Sequence, residues 1–474
     1  MKKIDMIVKA PHVYTMTGDG VGYRVDIAFA VDRGKIVALA DIKAIESEYS
    51  SEEIINASHH AIFPGLIDAH MHTGLCICRG LAQDTNYWMM YGLGPFSGVL
   101  TDADQNHGSN LAIIEAIKAG TTTFGDGGHN IRYVCEAVDK FGVRGHLVPM
   151  IRSAKRKVYQ PGELYEFDDA MGEKSLQENI DLYEKWHDKG DGRIKILFGP
   201  QGADFVSLEL LQKCQRAAKE RNTKLHVHTA QGDRETIQIE KRYGKRPIAW
   251  LKENGFLDET WIAIHMTDAN DDEARTVAQS GASMVVCPGS IGIIDGIVPP
   301  SVAFQNAGGN CALGSDQAPG NNCHNIINEM KNVALFNKIK FENPEVMPAW
   351  KALRMATIEG ARALGLGENI GSLEEGKCAD FIAIDLKKPA MMPLYTIPMR
   401  NIVPNLVYSA RGDEVALSVV NGKVIYRDGQ ILNVNESEML NQAATRAKRI
   451  GEEASEKFWE VDGANAQFMK VDRL

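Results

Sequence analysis

Eight short apolar segments recur between about residue 60 and residue 316, each followed by polar or glycine-rich sequence and then by a helical pattern. In chain order they are AIFPGLIDAHMH, TTTFGDGG, VRGHLVPM, IKILFGPQ, KLHVHTAQ, WIAIHMTD, SMVVCPGS and CALGSDQA. The intervening helices include SLELLQKCQRAAKERN, for which Ser207 is a candidate N-cap. Parallel strands need crossover connections, so eight alternating strand and helix units predict an α/β fold of the TIM (β/α)8 barrel type.

Both ends of the chain have a different pattern, with short strands joined by tight turns such as Asp-Arg-Gly and Asn-Gly. Neither end has enough strands for a sandwich alone, so we expect residues 1–60 and 376–435 to form one composite β-sandwich domain. The barrel then occupies residues 61–375. Residues 436–474 have helical character and are expected to form a C-terminal helical extension.

Composition excludes several classes of protein. Hydrophobic residues make up 44%, charged residues 24%, and the net charge is −10, without a concentrated basic tract of the kind that binds nucleic acid. No stretch is apolar for long enough to span a bilayer, and the apolar start is broken by charge and proline. The eight cysteines contain no Cys-x-x-Cys pair, which predicts reduced thiols in a cytoplasmic protein.

A cluster of metal-binding side chains is predicted at the ends of these strands. His70 and His72 lie two residues apart in PGLIDAHMH and therefore point to the same side of a strand. Alone, such a pair is more often a chance pattern than a metal site. His228 and Asp316 also end apolar strands, however, and the carboxyl ends of barrel strands form the active-site face. Three imidazoles and a carboxylate suit one divalent ion, with Zn²⁺ the first choice and Fe²⁺ the second.

The same segments contain residues for the chemistry. Asp316 is placed to touch both the ion and a water molecule, which suits a general base, although an isolated aspartate there would more often cap a turn. His265, at the end of its strand, is expected to orient that water or polarise the substrate. His226 is expected to be an interior or supporting histidine, and Asp126 to brace the barrel mouth.

Two regions could contact a substrate. The stretch 73–100 is long and rich in Tyr, Trp, Met and Gly, and Trp88 within it could form an apolar wall over a planar ligand. Sealing the barrel top or an oligomer interface is an equally good interpretation. Arg152, with Lys155 and Arg156, could bind a substrate carboxylate, although single surface charges more often belong to a solvated patch.

Taken in order, PGLIDAHMH, AGTTTFGDGG, HVHTA, AIHM, GSD with NNCHNI, MATIEGARALGL and GSLEEGKCADFIAIDL resemble the amidohydrolase superfamily. The branch is similar to that of the S-adenosylhomocysteine and methylthioadenosine deaminases and the s-triazine chlorohydrolases and aminohydrolases. The resemblance implies a barrel with a composite β domain, and one Zn²⁺ or Fe²⁺ on the positions of His70, His72, His228 and Asp316. It also implies a histidine near the attacking water at His265, and a homodimer or homotetramer.

Two positions depart from the pattern of this branch. Its deaminases usually have His-x-x-Glu after strand five, where the glutamate relays a proton, but this chain has Gln231. An amide cannot shuttle a proton, so the substrate does without it or another acid such as Asp233 or Glu235 supplies it. Gln201 stands where nucleoside-type deaminases tend to have a histidine after Gly-Pro. Both differences disfavour an adenine nucleoside as substrate.

These observations predict a metal-dependent hydrolase whose activated water attacks an electrophilic carbon of a planar nitrogen heterocycle. Ammonia or another small group, including one bound through C–Cl or C–S, is displaced, and Gln201 and Gln231 contact the substrate. Ring opening of a cyclic amide or amidine is the second interpretation. A metal-binding homologue without catalysis is the third, and it ranks last because the ligand set and His265 are what water activation requires.

Overall fold

The computed structural model describes residues 1–157, 159–160 and 162–474, and for Asp233 the backbone alone. Its central part is an α/β unit whose strands run parallel. These strands are Leu66–Met71, Thr121–Gly128, Arg144–Ile151, Ile194–Ile196 with Gly199–Pro200, Leu225–Thr229, Trp261–His265, Ser283–Val286 and Cys311–Leu313. They are called strand one to strand eight below, with the two short pieces at 194–200 together forming strand four. The prediction of an α/β fold with parallel strands is confirmed.

The parallel strands form two sheets, strands one to four and strands five to eight. Isolated β-bridges connect the two sheets along both pairs of their outer strands. Met71 of strand one pairs with Asp316 just beyond strand eight, and Phe198 within strand four pairs with Leu225 of strand five. Strands one and six are buried at every position, as expected for parallel strands covered on both faces.

Helices follow the strands and cover the outside of the sheets. Ser207 caps its helix, as predicted, by accepting a hydrogen bond from the Leu210 backbone N–H at 3.2 Å. The helices between the first strand and the last strand of this unit are Asp102–Lys118, Ile131–Phe141, Asp169–Trp186, Lys189–Gly192, Leu208–Glu220, Gly232–Tyr243, Pro247–Glu253, Asp271–Gln279, Pro288–Ile294 and Ser301–Asn306. After strand eight come Ala318–Asn321, Ile326–Lys340, Ala349–Met355, Ile358–Ala363, Ile402–Tyr408, Glu436–Val461 and Ala464–Lys470.

Strands from both ends of the chain form one further sheet of nine strands. Phe381–Asp385 from the C-terminal part pairs antiparallel with His60–Pro64 from the N-terminal part, which joins the two ends. The other strands are Met6–Tyr14, Tyr23–Asp32, Lys35–Asp41, Glu53–Asn56, Val415–Val420, Lys423–Arg427 and Gln430–Ile431. The pair Lys2–Lys3 and Tyr49–Ser50 and the helix Ile42–Glu48 flank this sheet.

The segment AIFPGLIDAHMH, expected to be one barrel strand, is two strands. His60–Pro64 belongs to the nine-stranded sheet and Leu66–Met71 to the parallel sheet. The break falls at Gly65, where an added Cβ would lie 2.0 Å from the Thr122 Oγ1 atom. Only glycine allows the chain to pass that close to strand two, so the turn between the two sheets is fixed here.

The stretch 73–100 has more secondary structure than a loop. It contains a 3₁₀ helix over Thr73–Cys78, a π-helix over Met89–Leu93 and a short helix over Gly94–Ser97. The C-terminal helices lie beside it, because the Asn465 side-chain amide donates to the Gln83 carbonyl at 3.1 Å. None of the helices in the described residues combines the length and the apolar character needed to cross a membrane.

Candidate metal centre and active site

Five side chains predicted from sequence lie together at the carboxyl ends of strands one, five, six and eight. The donor atoms of His70, His72 and His228 lie within 4.8 Å of one another, and so do those of His70, His265 and Asp316. The Asp316 Oδ1 atom is 3.4 Å from His70 Nε2 and 3.5 Å from His72 Nε2. Its Oδ2 atom is 3.9 Å from His265 Nε2. The two groups share His70, so the five side chains surround one point.

Backbone carbonyls orient two of the imidazoles. His72 Nδ1 lies 2.6 Å from the Gly127 carbonyl oxygen, and His228 Nδ1 lies 2.6 Å from the Gln201 carbonyl oxygen. A carbonyl only accepts, so each Nδ1 carries the hydrogen and each Nε2 is left as a base. This tautomer is the one that binds a metal ion through Nε2, with the other ring nitrogen held by a hydrogen bond.

His70 is oriented by His226, whose Nε2 lies 3.3 Å from His70 Nδ1. His226 Nε2 also lies 3.4 Å from the Ala69 carbonyl oxygen. When His70 Nδ1 donates the hydrogen bond to His226, the Nε2 atom of His70 is left as a base. That Nε2 atom is buried and has no hydrogen-bond partner among the described residues. A buried nitrogen of this kind needs a partner, and a divalent cation beside Asp316 would supply one. The residues therefore fit a metal ion, and His226 has the supporting position expected from sequence.

Electrostatics keep the two proposed catalytic groups in useful protonation states. Burial opposes the charge on Asp316, but the neighbouring imidazoles of His70, His265 and His72 hold the pKa of that carboxyl well below its usual range. Burial lowers the pKa of His265 to about 4, against the opposing effect of Asp316. At neutral pH Asp316 is therefore ionised and His265 is neutral.

The backbone at these positions is unusual for residues other than glycine. His265 has φ of 72° and Asp316 has φ of 62°, both in the left-handed region. Such conformations cost about 1–3 kcal/mol each and occur mainly at functional sites. The Asp316 backbone is held by its N–H, which donates to the His70 carbonyl at 2.8 Å, and by its own carbonyl, which accepts from His72 N–H at 2.8 Å.

Two supporting residues were missed by the sequence analysis. The Ser290 hydroxyl donates to Asp316 Oδ2 at 2.6 Å, and Ser290 follows strand seven. Asp68 is fully buried and accepts from the Ser315 backbone N–H at 2.9 Å. Ser290 could have been found by inspecting polar residues after every strand, because strand seven alone had been assigned none. Asp126 accepts a hydrogen bond from the Thr73 N–H at 3.0 Å and so braces the turn after strand one, as expected.

The predicted substrate residues after strands three and four lie side by side. Arg152 Nη1 donates to the Gln201 side-chain oxygen at 3.3 Å, and Arg152 is half-buried rather than fully solvated. The carbonyl of the same Gln201 holds His228, so this group borders the metal centre directly.

After strand five, Gln231 stands where deaminases of this branch usually have a glutamate. Gln231 precedes its helix, and its backbone N–H donates to Glu235 Oε2 at 2.8 Å. Burial and the nearby Asp204 raise the pKa of Glu235 to about 8. Glu235 is fully buried, and its carboxyl supports the backbone at Gln231. Asp233, the other acid considered, has its side chain outside the described residues.

Trp88 lies just before the π-helix and is half-buried. Its indole N–H has no hydrogen-bond partner among the described residues. Among the same residues, the Trp88 ring makes no aromatic contact with the histidines of the metal centre. Tyr87, Met89 and Met90 beside it are exposed by 72%, 60% and 41%. The stretch therefore presents an apolar surface, and a role of Trp88 with substrate stays a prediction.

Comparison with known proteins identifies the family of this chain. The family model described as "Amidohydrolase family" matches residues 61–425. A 5-methylthioadenosine/S-adenosylhomocysteine deaminase of Desulforudis audaxviator is 31% identical over 93% of this chain and 98% of its own length. A 5'-deoxyadenosine deaminase of Methanosarcina mazei is 29% identical over 94% of this chain and 98% of its own length.

Solved structures with this architecture include an adenosine deaminase from Xanthomonas campestris with bound zinc. It has a TM-score of 0.86 and 25% identity, covering 95% of this chain and 99% of that one. An atrazine chlorohydrolase from Arthrobacter aurescens, complexed with zinc, has a TM-score of 0.83 at 20% identity, covering 93% and 100%, and shows likeness of fold alone. The predicted family resemblance and the prediction of a hydrolase of the deaminase type are confirmed. This chain belongs to the amidohydrolase family.

Proposed function

We propose that this amidohydrolase-family enzyme uses one divalent metal ion to hydrolyse a planar nitrogen heterocycle, with ammonia as the preferred leaving group. The observation that carries the proposal is the convergence of three imidazoles and one carboxylate with His70 Nε2 buried and free of a hydrogen-bond partner among the described residues. Histidine and carboxylate ligands are the set that suits a borderline divalent ion in a hydrolytic site.

His70, His72, His228 and Asp316 would hold this ion. We infer Zn²⁺, because a mixed nitrogen and oxygen set suits zinc and two proteins of the same architecture contain it. Fe²⁺ is the alternative that the ligands also accommodate. When bound, a divalent ion lowers the pKa of water from about 15.7 to about 7 and so supplies hydroxide at neutral pH.

The chain's own residues handle the protons. Asp316, ionised at neutral pH, accepts a proton from the attacking water as the water oxygen bonds to the ring carbon. The neutral His265 donates a hydrogen bond toward the negative charge that develops at that carbon's substituents. The exocyclic C–N bond then breaks, and the amine leaves as ammonia with the proton that Asp316 had accepted.

Gln201, Gln231, Trp88 and Arg152 are the proposed substrate contacts. The relatives named above act, by their names, on adenine nucleosides. In this chain the amide of Gln231 offers hydrogen bonds but no proton for a ring nitrogen. We therefore infer a heterocycle whose leaving group departs readily, rather than an adenine nucleoside. A halide or thiolate leaving group is compatible with the same step.

Ring opening of a cyclic amide or amidine is a second candidate, and Gln231 is the observation that favours it. Such a reaction depends less on protonation of a ring nitrogen before attack. The products distinguish the two reactions, because deamination releases free ammonia whereas opening a cyclic amide creates a carboxylate without releasing ammonia.

Four further assignments, on the barrel, the domain bounds, the oligomer and the location, accompany this function. We infer that strands one to eight close into one (β/α)8 barrel, because bridges join the two parallel sheets at both edges. We propose the domain bounds 1–60 with 376–435, 61–375 and 436–474, with the first boundary moved so that strand His60–Pro64 stays in the nine-stranded sheet, and the first domain packed as a β-sandwich. A homodimer or homotetramer is proposed from the family resemblance, and a cytoplasmic location from the eight free cysteines. Light scattering of the purified protein measures the subunit number.

The experiment that tests the function combines metal removal with a substrate screen. Purified enzyme is stripped with a chelator, reloaded with Zn²⁺ or Fe²⁺, and assayed for ammonia, chloride and new carboxylate on aminated, halogenated and thioether purines, pteridines, pyrimidines and triazines. We expect hydrolysis that disappears on stripping and returns with one of the two ions. Full activity after verified metal loss, or tight binding of a heterocycle with no turnover by the reloaded enzyme, would contradict the proposal.

A further inference from the structure

Cationic side chains surround the part of the rim that follows strands three to five. Arg152 and Arg156 follow strand three, and Arg234 lies on the helix after strand five. His129, after strand two, is uncharged at neutral pH, because burial and the neighbouring Arg156 lower its pKa to about 4. Arg156 Nη2 lies 3.4 Å from the His129 ring nitrogens. The carboxyl ends of all these strands are at one face of the fold, so these charges lie on the face that carries the metal centre.

Two of the guanidinium groups share one aromatic ring. The Arg152 guanidinium carbon lies 4.5 Å from the centre of the Phe205 ring, and that of Arg234 lies 4.6 Å from the same centre. Phe205 itself is buried and stacks on Tyr165 with 5.2 Å between ring centroids. A fixed aromatic platform holds a guanidinium with its N–H edge free for another partner.

The positive charge of this group is only partly neutralised. Asp204, fully buried, pairs with Arg234 at 3.1 Å between Oδ2 and Nε. Lys155 is paired with Glu166 at 3.3 Å. In contrast, the acceptors of Arg152 among the described residues are all uncharged, namely the Ala154 carbonyl at 2.7 Å, the Gln201 amide oxygen at 3.3 Å and the Lys155 carbonyl at 3.5 Å.

Neither Arg152 nor Arg156 has a carboxylate within 4.0 Å of its guanidinium nitrogens in the part of the chain that the structure describes. Burial and the neighbouring Arg156 lower the pKa of Arg152, which means that the surroundings disfavour its charge. An ionised carboxylate from a ligand would relieve this imbalance.

Arg152 and Arg156 also lie close to the metal centre, where a substrate would bind. Gln201, which Arg152 contacts through its side chain, holds the metal-centre residue His228 through its carbonyl at 2.6 Å. On the other side, Gly127 holds His72 at 2.6 Å, and His129 is two residues further along. A ligand bound at the metal centre would therefore have both Arg152 and Arg156 near it.

We propose that Arg152 and Arg156 form an anion subsite, and that the substrate is a nitrogen heterocycle bearing a carboxylate substituent. Arg152 is held by Phe205 and Gln201, and the hydrogens of Nη1 and Nη2 that are not already donated meet the carboxylate, while Arg156 adds a second charge from the rim. This inference rests on the proposed function, because it assigns the substrate class of the same site.

The test compares matched ligands that differ in a carboxylate. Suitable pairs are pterin with pterin-6-carboxylate, and adenosine-5'-carboxamide with adenosine-5'-carboxylate. Dissociation constants are measured by calorimetry with metal-loaded wild-type protein, Arg152→Gln, Arg152→Lys and the exposed control Arg216→Gln, and kcat and KM are measured for any pair that is hydrolysed.

We expect at least one acid to bind wild-type protein roughly tenfold to hundredfold more tightly than its neutral partner. Arg152→Gln should remove that preference while changing the affinity of the neutral partner little. Arg152→Lys should restore part of it, and Arg216→Gln should behave as wild type. In hydrolysis, the loss should fall on KM for the acid more than on kcat.

Equal affinity for acid and neutral members of both pairs would overturn the subsite, and so would an equal loss for both members in Arg152→Gln. If nothing is hydrolysed, the proposed function fails, but a carboxylate preference that Arg152→Gln abolishes still supports the subsite. If no acid binds with a preference, the subsite fails even when neutral heterocycles are hydrolysed.

Discussion

Two halves of the same rim differ in how they are built. The metal arc, defined as His70, His72, His228, His265 and Asp316, is fixed by short contacts between neighbouring strands. The substrate arc, defined as Gln201, Gln231, Arg152 and Arg156, consists of longer side chains on segments after strands three to five. The first set meets the demands of one ion, whereas the second is free to vary with the ligand.

The difference has a physical basis. A metal ion needs donor atoms within a few tenths of an ångström of fixed positions, so the imidazoles are held by carbonyls and by one another. Side chains that contact a substrate tolerate looser placement than metal ligands do. Such contacts usually lie on loops that a rigid scaffold carries. We therefore expect the chemistry to be shared with relatives and the substrate to be particular to this chain.

The most severe test of the metal arc is Asp316→Asn. An amide cannot accept the proton from water, so we expect turnover to fall by about 10³-fold or more while the fold remains. Steady-state kinetics, circular dichroism and metal analysis measure the three properties. The exposed Asp271→Asn, on the helix after strand six, serves as the matched control and should keep wild-type activity. Wild-type turnover in Asp316→Asn would refute the base.

The substrate arc is tested by Gln231→Glu, which restores the residue typical of deaminases in this branch. A carboxyl group here could pass a proton to a ring nitrogen, and such assistance is typically worth about 10²–10⁴ in rate. We expect ammonia release from aminopurines to rise by at least about tenfold. Gln231→Asn is the control for altered length and should bring no gain. An unchanged rate in Gln231→Glu would mean that position 231 does not reach the ring.

The support beneath the metal arc is tested by His226→Gln. His226 contacts His70 Nδ1 at 3.3 Å, and loss of a partner of this kind typically weakens metal binding by about 10–100-fold. Competition with a chelating dye measures the metal affinity. The exposed His59→Gln should retain the wild-type value. An affinity in His226→Gln equal to that of wild type would show that His70 needs no such partner.

The smallest effect concerns stability below the rim. His146 of strand three is buried, and both ring nitrogens lack a hydrogen-bond partner among the described residues. Burial, followed by the charges of Arg144 and Lys195, holds its pKa well below the usual value of 6.5. The folded protein therefore resists protonation that the unfolded chain accepts, and stability is lost as the pH falls below 6.5.

We expect this group to cost about 2 kcal/mol between pH 6.5 and pH 5, because one pKa unit corresponds to about 1.36 kcal/mol. Urea unfolding of wild-type protein and His146→Leu across this range measures the difference. The pH dependence should become shallower in His146→Leu, with His59→Gln again unchanged. Parallel curves for wild type and His146→Leu would mean that His146 titrates normally.

The comparison of the two arcs also shows what sequence can predict. His70 and His72 were found because strand geometry places residues two apart on one side, and Asp316 because a polar residue ends an apolar strand. Ser290 was missed because no polar residue had been assigned after strand seven, and Asp68 because its partner Ser315 lies far away in the chain. The division of AIFPGLIDAHMH at Gly65 was missed because a continuous apolar run gives no sign that it belongs to two sheets.

The sequence by itself determined the parallel α/β fold, the family and the positions that can bind a metal ion, because periodicity and residue type are local properties. Only the tertiary structure decided which ring nitrogens are left without the hydrogen bond that fixes the other nitrogen, that Glu235 is buried under Gln231, and that Arg152 shares Phe205 with Arg234. These facts depend on distances between different strands and helices. Burial and pairing of charges follow from those distances, and no spacing along the chain encodes them.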